Sequence, residues 1–183
     1  VADRAKIENG HSALIFGQAV IEEELAGLRF QISMESFFQT NPACAELLYD
    51  KALDYLFEDP FEPGDIAMDL FCGTGTIGQL MAKRNSAVRI IGVDIVEKAI
   101  EDAKQNAAKN GIHSVEFYAA DVGKFLKEYP DFQGKIKRIM LDPPRAGIAP
   151  KTLQKVIALD ADSIVYISCN PSTQARDAAT LAD

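Results

Sequence analysis

The pattern of apolar and polar positions is regular from residue 66 to the end of the chain. Short apolar runs rich in β-branched residues occupy residues 66–71, 89–94, 114–120, 137–142 and 163–168. Segments with helical spacing of apolar residues alternate with them, at 73–83, 96–110, 122–128, 150–159 and from Pro171 onward. Strands that alternate with helices in this way predict a mostly parallel sheet covered on both faces, which is a doubly wound α/β domain.

The first third of the chain has a different pattern. Residues 11–33 alternate weakly around Gly17 and Gly27, which predicts a β-hairpin. Asn41-Pro42 then predicts a helix start, with Asn as N-cap and Pro at the first helical position. The apolar residues assigned to this helix are Leu47, Leu48, Leu53, Tyr55 and Leu56. We therefore expect residues 1–40 to be a β-hairpin segment at the tail of a preceding domain and residues 41–183 to form one domain.

Composition narrows the class of protein. The chain has 183 residues, a net charge of −8 and no apolar run long enough to span a membrane. Three cysteines without a C-x-x-C pair argue against a disulfide framework and against a metal site. A cytoplasmic protein is expected, and Cys44 and Cys72 are expected to be packing residues. The acidic charge counts against a broad nucleic-acid surface on this chain alone.

A glycine-rich turn follows the first predicted strand of the α/β region. Gly73 to Gly78, G-T-G-T-I-G, has the spacing of nucleotide-cofactor turns, and Asp94 ends the next strand, where it would accept hydrogen bonds from ribose hydroxyls. This pattern fits both a dinucleotide and S-adenosylmethionine. Asp69, before the turn, favours a cationic ligand over a pyrophosphate. Asp121, after the third strand, is expected to bind an adenine amino group, to cap the following helix, or both.

Two further strand ends carry reactive or charged residues. Asp142 and Arg145 flank two prolines, which predict a rigid exit from the fourth strand. Cys169 follows the fifth strand and precedes Asn170-Pro171, a second predicted helix start. The positive end of that helix dipole favours a thiolate. A cysteine after an apolar strand is usually a core thiol, so Cys169 is either a packing residue or a nucleophile.

Four motifs together resemble one known family. D-L-F-C-G-T-G-T-I-G (69–78), L-D-P-P-R-A-G (141–147), I-S-C-N-P (167–171) and S-F-F-Q-T-N-P (36–42) are similar to the RNA (uracil-5-)-methyltransferases, which form 5-methyluridine in transfer or ribosomal RNA. The resemblance covers roughly residues 27–183. It implies a Rossmann-like class I methyltransferase fold whose last strands lie outside this chain. It also implies S-adenosylmethionine as cofactor and an RNA substrate.

The resemblance also implies a role for particular residues. Cys169 falls at the position of the family's nucleophile, and Arg145 is expected to bind the RNA. The positions expected to bind the cofactor are Gln39, Phe71, Gly73, Gly75, Thr76, Asp94, Asp121 and Asp142, although at Thr76 relatives often carry Asn. No metal is expected. The family's proton-abstracting glutamate and its N-terminal RNA-binding domain are expected outside this chain, which we therefore interpret as a fragment.

Two other hypotheses fit the same residues. The glycine turn with Asp94 is also typical of a nicotinamide-dependent oxidoreductase, with NAD as cofactor. A chain without the proton-abstracting glutamate is also compatible with a non-catalytic cofactor-binding module. Asp69 and Asp121, together with the resemblance, favour the methyltransferase over the oxidoreductase, and the non-catalytic module stays an alternative.

Overall fold

Strands and helices alternate through most of the computed structural model, which describes residues 20–34 and 36–182. The strands are β1 (Val20–Leu25), β2 (Leu28–Ser33), β3 (Ile66–Leu70), β4 (Arg89–Asp94), β5 (Val115–Ala119), β6 (Ile136–Leu141) and β7 (Ser163–Tyr166). The helices are α1 (Pro42–Leu56), α2 (Thr76–Arg84), α3 (Glu97–Lys109), α4 (Val122–Glu128), α5 (Pro150–Ile157) and α6 (Pro171–Ala182). The predicted alternation is confirmed, and every predicted strand of the α/β region is present.

The five strands from β3 to β7 form one parallel sheet in the order β5-β4-β3-β6-β7. The chain starts in the centre at β3, moves outward to β5, and returns to the other side of β3 at β6. The order of the strands therefore reverses between β3 and β6. In open parallel sheets the connections at such a point diverge and leave a crevice beyond the carboxyl ends of the strands.

Apolar side chains cover both faces of this sheet. One buried cluster includes Phe30, Leu56 and Met81, which pack the hairpin, α1 and α2 against one face. The other includes Phe125 and Val156, which pack α4 and α5 against the opposite face. All five residues of β3 are buried, because this central strand is covered on both sides.

β1 and β2 form the predicted antiparallel hairpin. Its turn is Ala26-Gly27, where both residues have positive φ, as a two-residue turn that matches the twist of the strands requires. The part of the prediction that covers residues 11–19 lies outside the described residues. The hairpin shares its buried cluster with α1 and α2, and a domain boundary at residue 40 stays a prediction.

Helix α1 begins as predicted, because the Asn41 side chain accepts a hydrogen bond from the Cys44 amide. Its core-facing side was predicted only in part. Leu53 and Leu56 are buried, but Leu47 is 74% exposed, and Leu48 and Tyr55 are exposed as well. The expectation that Cys44 is a packing residue is wrong, since its side chain is exposed. The residues of α1 that face the core are Ala45, Tyr49, Ala52, Leu53 and Leu56.

No helix within residues 20–34 and 36–182 is both long enough and apolar enough to cross a membrane.

Candidate active site

A cavity of about 730 Å³ lies beyond the carboxyl ends of the central strands. This volume is within the range of small-molecule sites, about 300–1,000 Å³. The residues predicted for the site line it, with the exception of Gly75: Gln39, Phe71, Gly73, Thr76, Asp94, Asp121, Asp142, Arg145 and Cys169. Residues from the ends of all five strands of the sheet and from the segment before α1 therefore meet at one place.

The turn after β3 is shaped by the end of β4. The amides of Phe71 and Cys72 both donate to the Val93 carbonyl, at 2.8 and 3.1 Å. This curvature places Phe71 at φ +66°, a left-handed conformation that costs a residue with a side chain about 1–2 kcal/mol. Such backbone strain is concentrated at functional sites, and Phe71 lines the cavity.

The first two glycines of the turn serve different purposes. At Gly73 a Cβ atom would meet nothing within 4 Å, and the residue lines the cavity, so a ligand has access to its backbone. At Gly75 a Cβ atom would lie 2.5 Å from the Phe117 ring and 2.9 Å from Ala103. Gly75 therefore lets the turn pack against β5 and α3, and it is not part of the cavity wall.

Asp94 joins the turn to the start of α3. Its Oδ2 accepts from the Gly73 amide and its Oδ1 from the Val96 amide, both at 2.9 Å. A carboxylate oxygen has two lone pairs, so each oxygen retains one for a ligand. The side chain is half-buried at the cavity wall, where it can accept from two neighbouring hydroxyl groups.

Asp121 has the helix-capping contact that was predicted. Its Oδ1 accepts from the Lys124 amide at 2.9 Å and caps α4, while the side chain also lines the cavity. Thr76 is buried, and its hydroxyl lies 3.2 Å from that of Thr74. The capping role of Asp121 is confirmed, and a ligand contact by either residue stays a prediction.

Asp142 and Tyr49 form the part of the wall nearest to β6. Asp142 is half-buried, and burial raises its carboxyl pKa to about 6. The Tyr49 side chain is buried at the same cavity, and its burial, together with the charge of Asp142, raises the pKa of its hydroxyl, while a hydrogen bond with Gln39 opposes that rise. Tyr49 was not predicted as a site residue, because only the packing of α1 on the sheet brings it beside Asp142.

Cys169 and Arg145 lie at the other side of the cavity, and both are exposed. The exposure excludes the reading of Cys169 as a core thiol. Asn170 caps α6 as predicted, since its Oδ1 accepts from the Ser172 amide at 3.2 Å. Its Nδ2 also donates to the Arg145 carbonyl at 3.1 Å, so the loops that carry Arg145 and Cys169 are in direct contact.

Asp69 is not at the cavity surface. It is fully buried beneath the turn, where its Oδ2 accepts from the Gly78 amide at 2.7 Å. Burial raises its pKa to about 7, the Gly78 hydrogen bond opposes the rise, and the nearby Asp142 and Asp94 add to it. Asp69 therefore favours a cationic ligand at most through its charge and not by contact, because its side chain binds an amide in the first turn of α2 from below.

The chemistry of the wall suits S-adenosylmethionine. Asp94, Asp121 and Asp142 offer carboxylates to hydroxyl groups, an amino group and a cation, and Ile95 and Val122 add apolar surface. A pyrophosphate placed at the same turn would face these carboxylates, and like charges repel at short range. Within the described residues no three His, Cys, Asp or Glu side chains are grouped as a metal site.

Comparison with known families decides the class of the domain. Residues 61–183 match the profile of the family described as "Methyltransferase domain". The chain belongs to this methyltransferase domain family. Membership decides between the two cofactors considered from the sequence: S-adenosylmethionine is confirmed and the NAD-dependent reading is not supported.

Individual relatives of this methyltransferase domain agree with the family. An uncharacterized RNA methyltransferase of Clostridium tetani is 42% identical over 170 residues, 93% of this chain and 36% of the relative. One of Clostridium acetobutylicum is 43% identical over 171 residues, 91% of this chain and 35% of the relative. The chain thus spans about a third of the length of these curated relatives.

A solved structure confirms the fold of the methyltransferase domain. The precorrin-6y C5,15-methyltransferase of Geobacter metallireducens superimposes with a TM-score of 0.64 at 15% identity, covering 83% of this chain and 73% of that chain. At this identity the likeness shows the fold alone. The predicted Rossmann-like methyltransferase fold is confirmed.

Several residues of the methyltransferase site were missed from the sequence. They are mostly apolar, and they include Phe37, Phe38, Leu48, Tyr49, Ile95, Val96, Val122, Pro143 and Ile167. Two of them carry a signal in the sequence, because Ile95 directly follows Asp94 and Val122 directly follows Asp121. Such an apolar residue beside a strand-end acid adds apolar surface to the cavity wall.

Proposed function

We propose that this methyltransferase domain transfers a methyl group from S-adenosylmethionine to C5 of a uridine in RNA, with Cys169 as covalent nucleophile. The observation that carries the proposal is the position of Cys169. Its thiol is exposed in the same cavity as the glycine turn, Asp94 and Asp142. A target base bound beside the cofactor in that cavity would therefore lie next to the Cys169 thiol.

The RNA substrate is supported by the relatives and by the motifs. The relatives from both Clostridium species are named RNA methyltransferases. The motifs at 36–42, 141–147 and 167–171 resemble those of enzymes that modify uridine in transfer or ribosomal RNA. A ribosomal or transfer RNA substrate and a cytoplasmic location are parts of the same proposal.

The uracil ring explains why a cysteine is needed. C5 of uracil is a weak nucleophile, and when the Cys169 thiolate adds to C6 the electron pair of the C5–C6 double bond moves toward C5 and O4. S-adenosylmethionine, when bound, supplies the electrophilic methyl group that C5 takes up. Loss of the C5 proton to a base then restores the double bond and expels the thiolate, so that Cys169 is regenerated. The resemblance places that base after Asp183.

The remaining wall residues orient the reacting groups. Asp142 stands between the cofactor turn and the Cys169 loop, where it can bind either the cofactor or the base. Arg145 is exposed at the edge and can donate to RNA oxygens. A stacked base cannot reach this cavity, so the target uridine must be extruded, at a cost of a few kcal/mol.

The proposal is tested with RNA that carries 5-fluorouridine, because fluorine cannot leave as a proton and the adduct is trapped. The full-length protein is incubated with S-adenosylmethionine and this RNA, and intact mass spectrometry is followed by peptide mapping. We expect a methylated RNA adduct at Cys169 that is lost in Cys169→Ala. Cys44→Ala removes another exposed thiol, outside the cavity, and should form the adduct normally.

Two results would contradict the proposal. An adduct that persists in Cys169→Ala would place the nucleophile elsewhere. No adduct in the wild type, despite tight binding of S-adenosylhomocysteine in a calorimetric titration, would favour the non-catalytic cofactor-binding module instead.

A further inference from the structure

Side chains on one face of α6 bind the backbone of the loop between β6 and α5. Asn170 Nδ2 donates to the Arg145 carbonyl at 3.1 Å. The Thr173 hydroxyl lies within hydrogen-bond distance of two carbonyls, that of Arg145 at 3.2 Å and that of Asn170 at 3.1 Å, so it joins the two loops. One turn further along, an Arg176 guanidinium nitrogen donates to the Ala146 carbonyl at 3.1 Å. We call Asn170, Thr173, Arg176 and Asp177 the α6 clamp, since together they hold consecutive backbone groups of this loop.

Asp177 is the buried centre of the α6 clamp. Its Oδ2 accepts from the Ile148 amide and from the Tyr166 hydroxyl, both at 2.8 Å. Its Oδ1 accepts from the Arg176 guanidinium at 2.8 Å. A nearly fully buried carboxylate thus joins α6, the loop after β6 and the last residue of β7. Because it is ionised and satisfied on both oxygens, this junction is a rigid one.

The loop backbone is shaped to receive the clamp. At Gly147 a Cβ atom would lie 2.5 Å from an Arg176 nitrogen, 2.6 Å from Asp177 Oδ2 and 3.1 Å from Thr173 Cβ. Gly147 also has φ +76°, which favours glycine. The helix side chains therefore approach the backbone more closely than any other residue at this position would permit.

The α6 clamp connects two parts of the cavity wall. Arg145 lies on the clamped loop, and Cys169 lies two residues before the start of α6, next to the capping residue Asn170. β6 and β7 end before either residue, so the clamp adds a direct connection between the two segments beyond the sheet. Side chains that act on one substrate must lie within about 0.5 Å of their productive positions. Residues that pack against them and hydrogen-bond to them provide this precision.

We propose that Thr173 and Asp177 are positioning residues that set the placement of Arg145 relative to the Cys169 thiol. This inference rests on the proposed function. Neither residue lines the cavity, so neither is expected to touch the cofactor or the base. Their effect is on the rate at which the thiol reacts with a bound uridine, and S-adenosylmethionine binding is independent of them.

Asp177→Asn is the first test variant, because it keeps the shape of the side chain. Ile148, Tyr166 and Arg176 all donate to Asp177, so the Asn amino group must face a donor, whichever way the amide is turned. We expect the rate constant for adduct formation with 5-fluorouridine RNA to fall 10- to 100-fold in the full-length protein. A misplacement of about 1 Å costs on the order of 100-fold in rate. The Kd for S-adenosylhomocysteine should stay within twofold.

Thr173→Val is the second variant, and it removes the hydroxyl donor without changing the size of the side chain. It should slow adduct formation about tenfold, and Thr173→Ser, which restores the hydroxyl, should recover the wild-type rate within threefold. Thr180→Val is the matched control on the same helix, since among the described residues the Thr180 hydroxyl bonds within α6, to the Arg176 carbonyl. It should react at the wild-type rate.

Amide hydrogen exchange separates positioning from general loss of structure. In both test variants the amides of residues 145–148 should exchange faster, while those of α1 stay protected. Wild-type reaction rates in Asp177→Asn and Thr173→Val would overturn the inference, as would a parallel loss of cofactor affinity and rate. If the wild type itself forms no adduct, the proposed function fails and the positioning role fails with it.

Discussion

At Gly75 a single hydrogen in place of a methyl group decides how closely the cofactor turn approaches the sheet. Phe117 from β5 and Ala103 from α3 occupy the space that a side chain would need. The sequence pattern G-T-G-T-I-G predicts that its glycines lie near a ligand. Gly73 does leave its backbone accessible to a ligand in the cavity, but Gly75 is required for the packing of the turn against β5 and α3. The difference depends on Phe117, which lies far away in the chain.

We expect Gly75→Ala to destabilise the protein by about 2–5 kcal/mol, which combines left-handed strain of about 1–2 kcal/mol with overpacking of about 1–3 kcal/mol. Gly111→Ala is the matched control. Gly111 has a similar φ of +67° but open space around the Cβ position, so only the strain applies. Urea denaturation of both variants measures the difference, and equal losses would show that the contact with Phe117 is relieved by a small shift.

The hairpin is attached to the α/β domain by side chains from α3. Asn110, Asn106 and Asp102, spaced four residues apart, bind the backbone of Arg29, Gln31 and Ser33 in β2. Asn106 accepts from the Gln31 amide at 2.8 Å and donates to its carbonyl at 2.9 Å. These contacts satisfy the free edge of β2, which would otherwise present unpaired backbone groups.

We expect Asn106→Ala to lower the free energy of unfolding by about 2–4 kcal/mol, because it leaves two backbone groups of Gln31 without partners at a partly buried position. Asn110→Ala should cost less, about 1–2 kcal/mol, since its pair at Arg29 is exposed and water can replace it, although the buried Gln79 also loses the bond that its Oε1 accepts from Asn110 Nδ2.

Thermal unfolding ranks the two variants, and hydrogen exchange shows whether β2 loses protection in Asn106→Ala alone. If both variants lose the same stability and β2 keeps its protection, the hairpin is held mainly by the buried cluster of Leu25, Leu28 and Phe30.

Two acidic groups, one in the cavity wall and one buried beneath it, make the stability of the whole molecule depend on pH. Burial raises the pKa of Asp142 to about 6 and that of Asp69 to about 7. Asp69 Oδ1 has no hydrogen-bond partner among the described residues, which makes its ionised form costly. The pKa of Asp102 is lowered, because hydrogen bonds from Ser33 and Ser36 outweigh the opposing effect of burial. The pKa of Asp177 is also lowered, because hydrogen bonds from Ile148 and Tyr166 outweigh burial there.

These shifts predict that stability is greatest near pH 4 and falls toward pH 8. A raised pKa means that the folded state binds protons that the unfolded state has already lost. The stability from Asp69 and Asp142 is therefore complete below about pH 4, the unfolded pKa, and lost as the pH rises through 6 to 7. Asp102 and Asp177 behave oppositely, since their contribution is lost as the pH falls below about 4.

Urea denaturation of the cofactor-free protein between pH 4 and 8 tests this prediction. Asp69→Asn should reduce the fall in stability between pH 5 and 8, because the amide cannot ionise. The same change at the exposed Asp131 controls for the loss of one formal charge. An unchanged slope in Asp69→Asn would assign the pH dependence to other groups.

Much of the architecture follows from local sequence. The alternation of apolar runs with helical spacing specifies five strands and their helices, because neighbouring residues alone set those periods. The caps at Asn41 and Asn170, the turn at Gly73 and the acids at strand ends are also local. Since carboxyl ends of parallel strands meet at one edge, those local features were enough to predict most of the cavity wall.

Other properties depend on contacts between distant parts of the chain. The sequence does not show that Asp69 is buried, that Tyr49 reaches the cavity or that Cys44 stays outside the core. It also does not show that α6 holds the loop of Arg145. Each depends on which face of an element packs against a neighbour that is remote in sequence, so only the tertiary structure decides it.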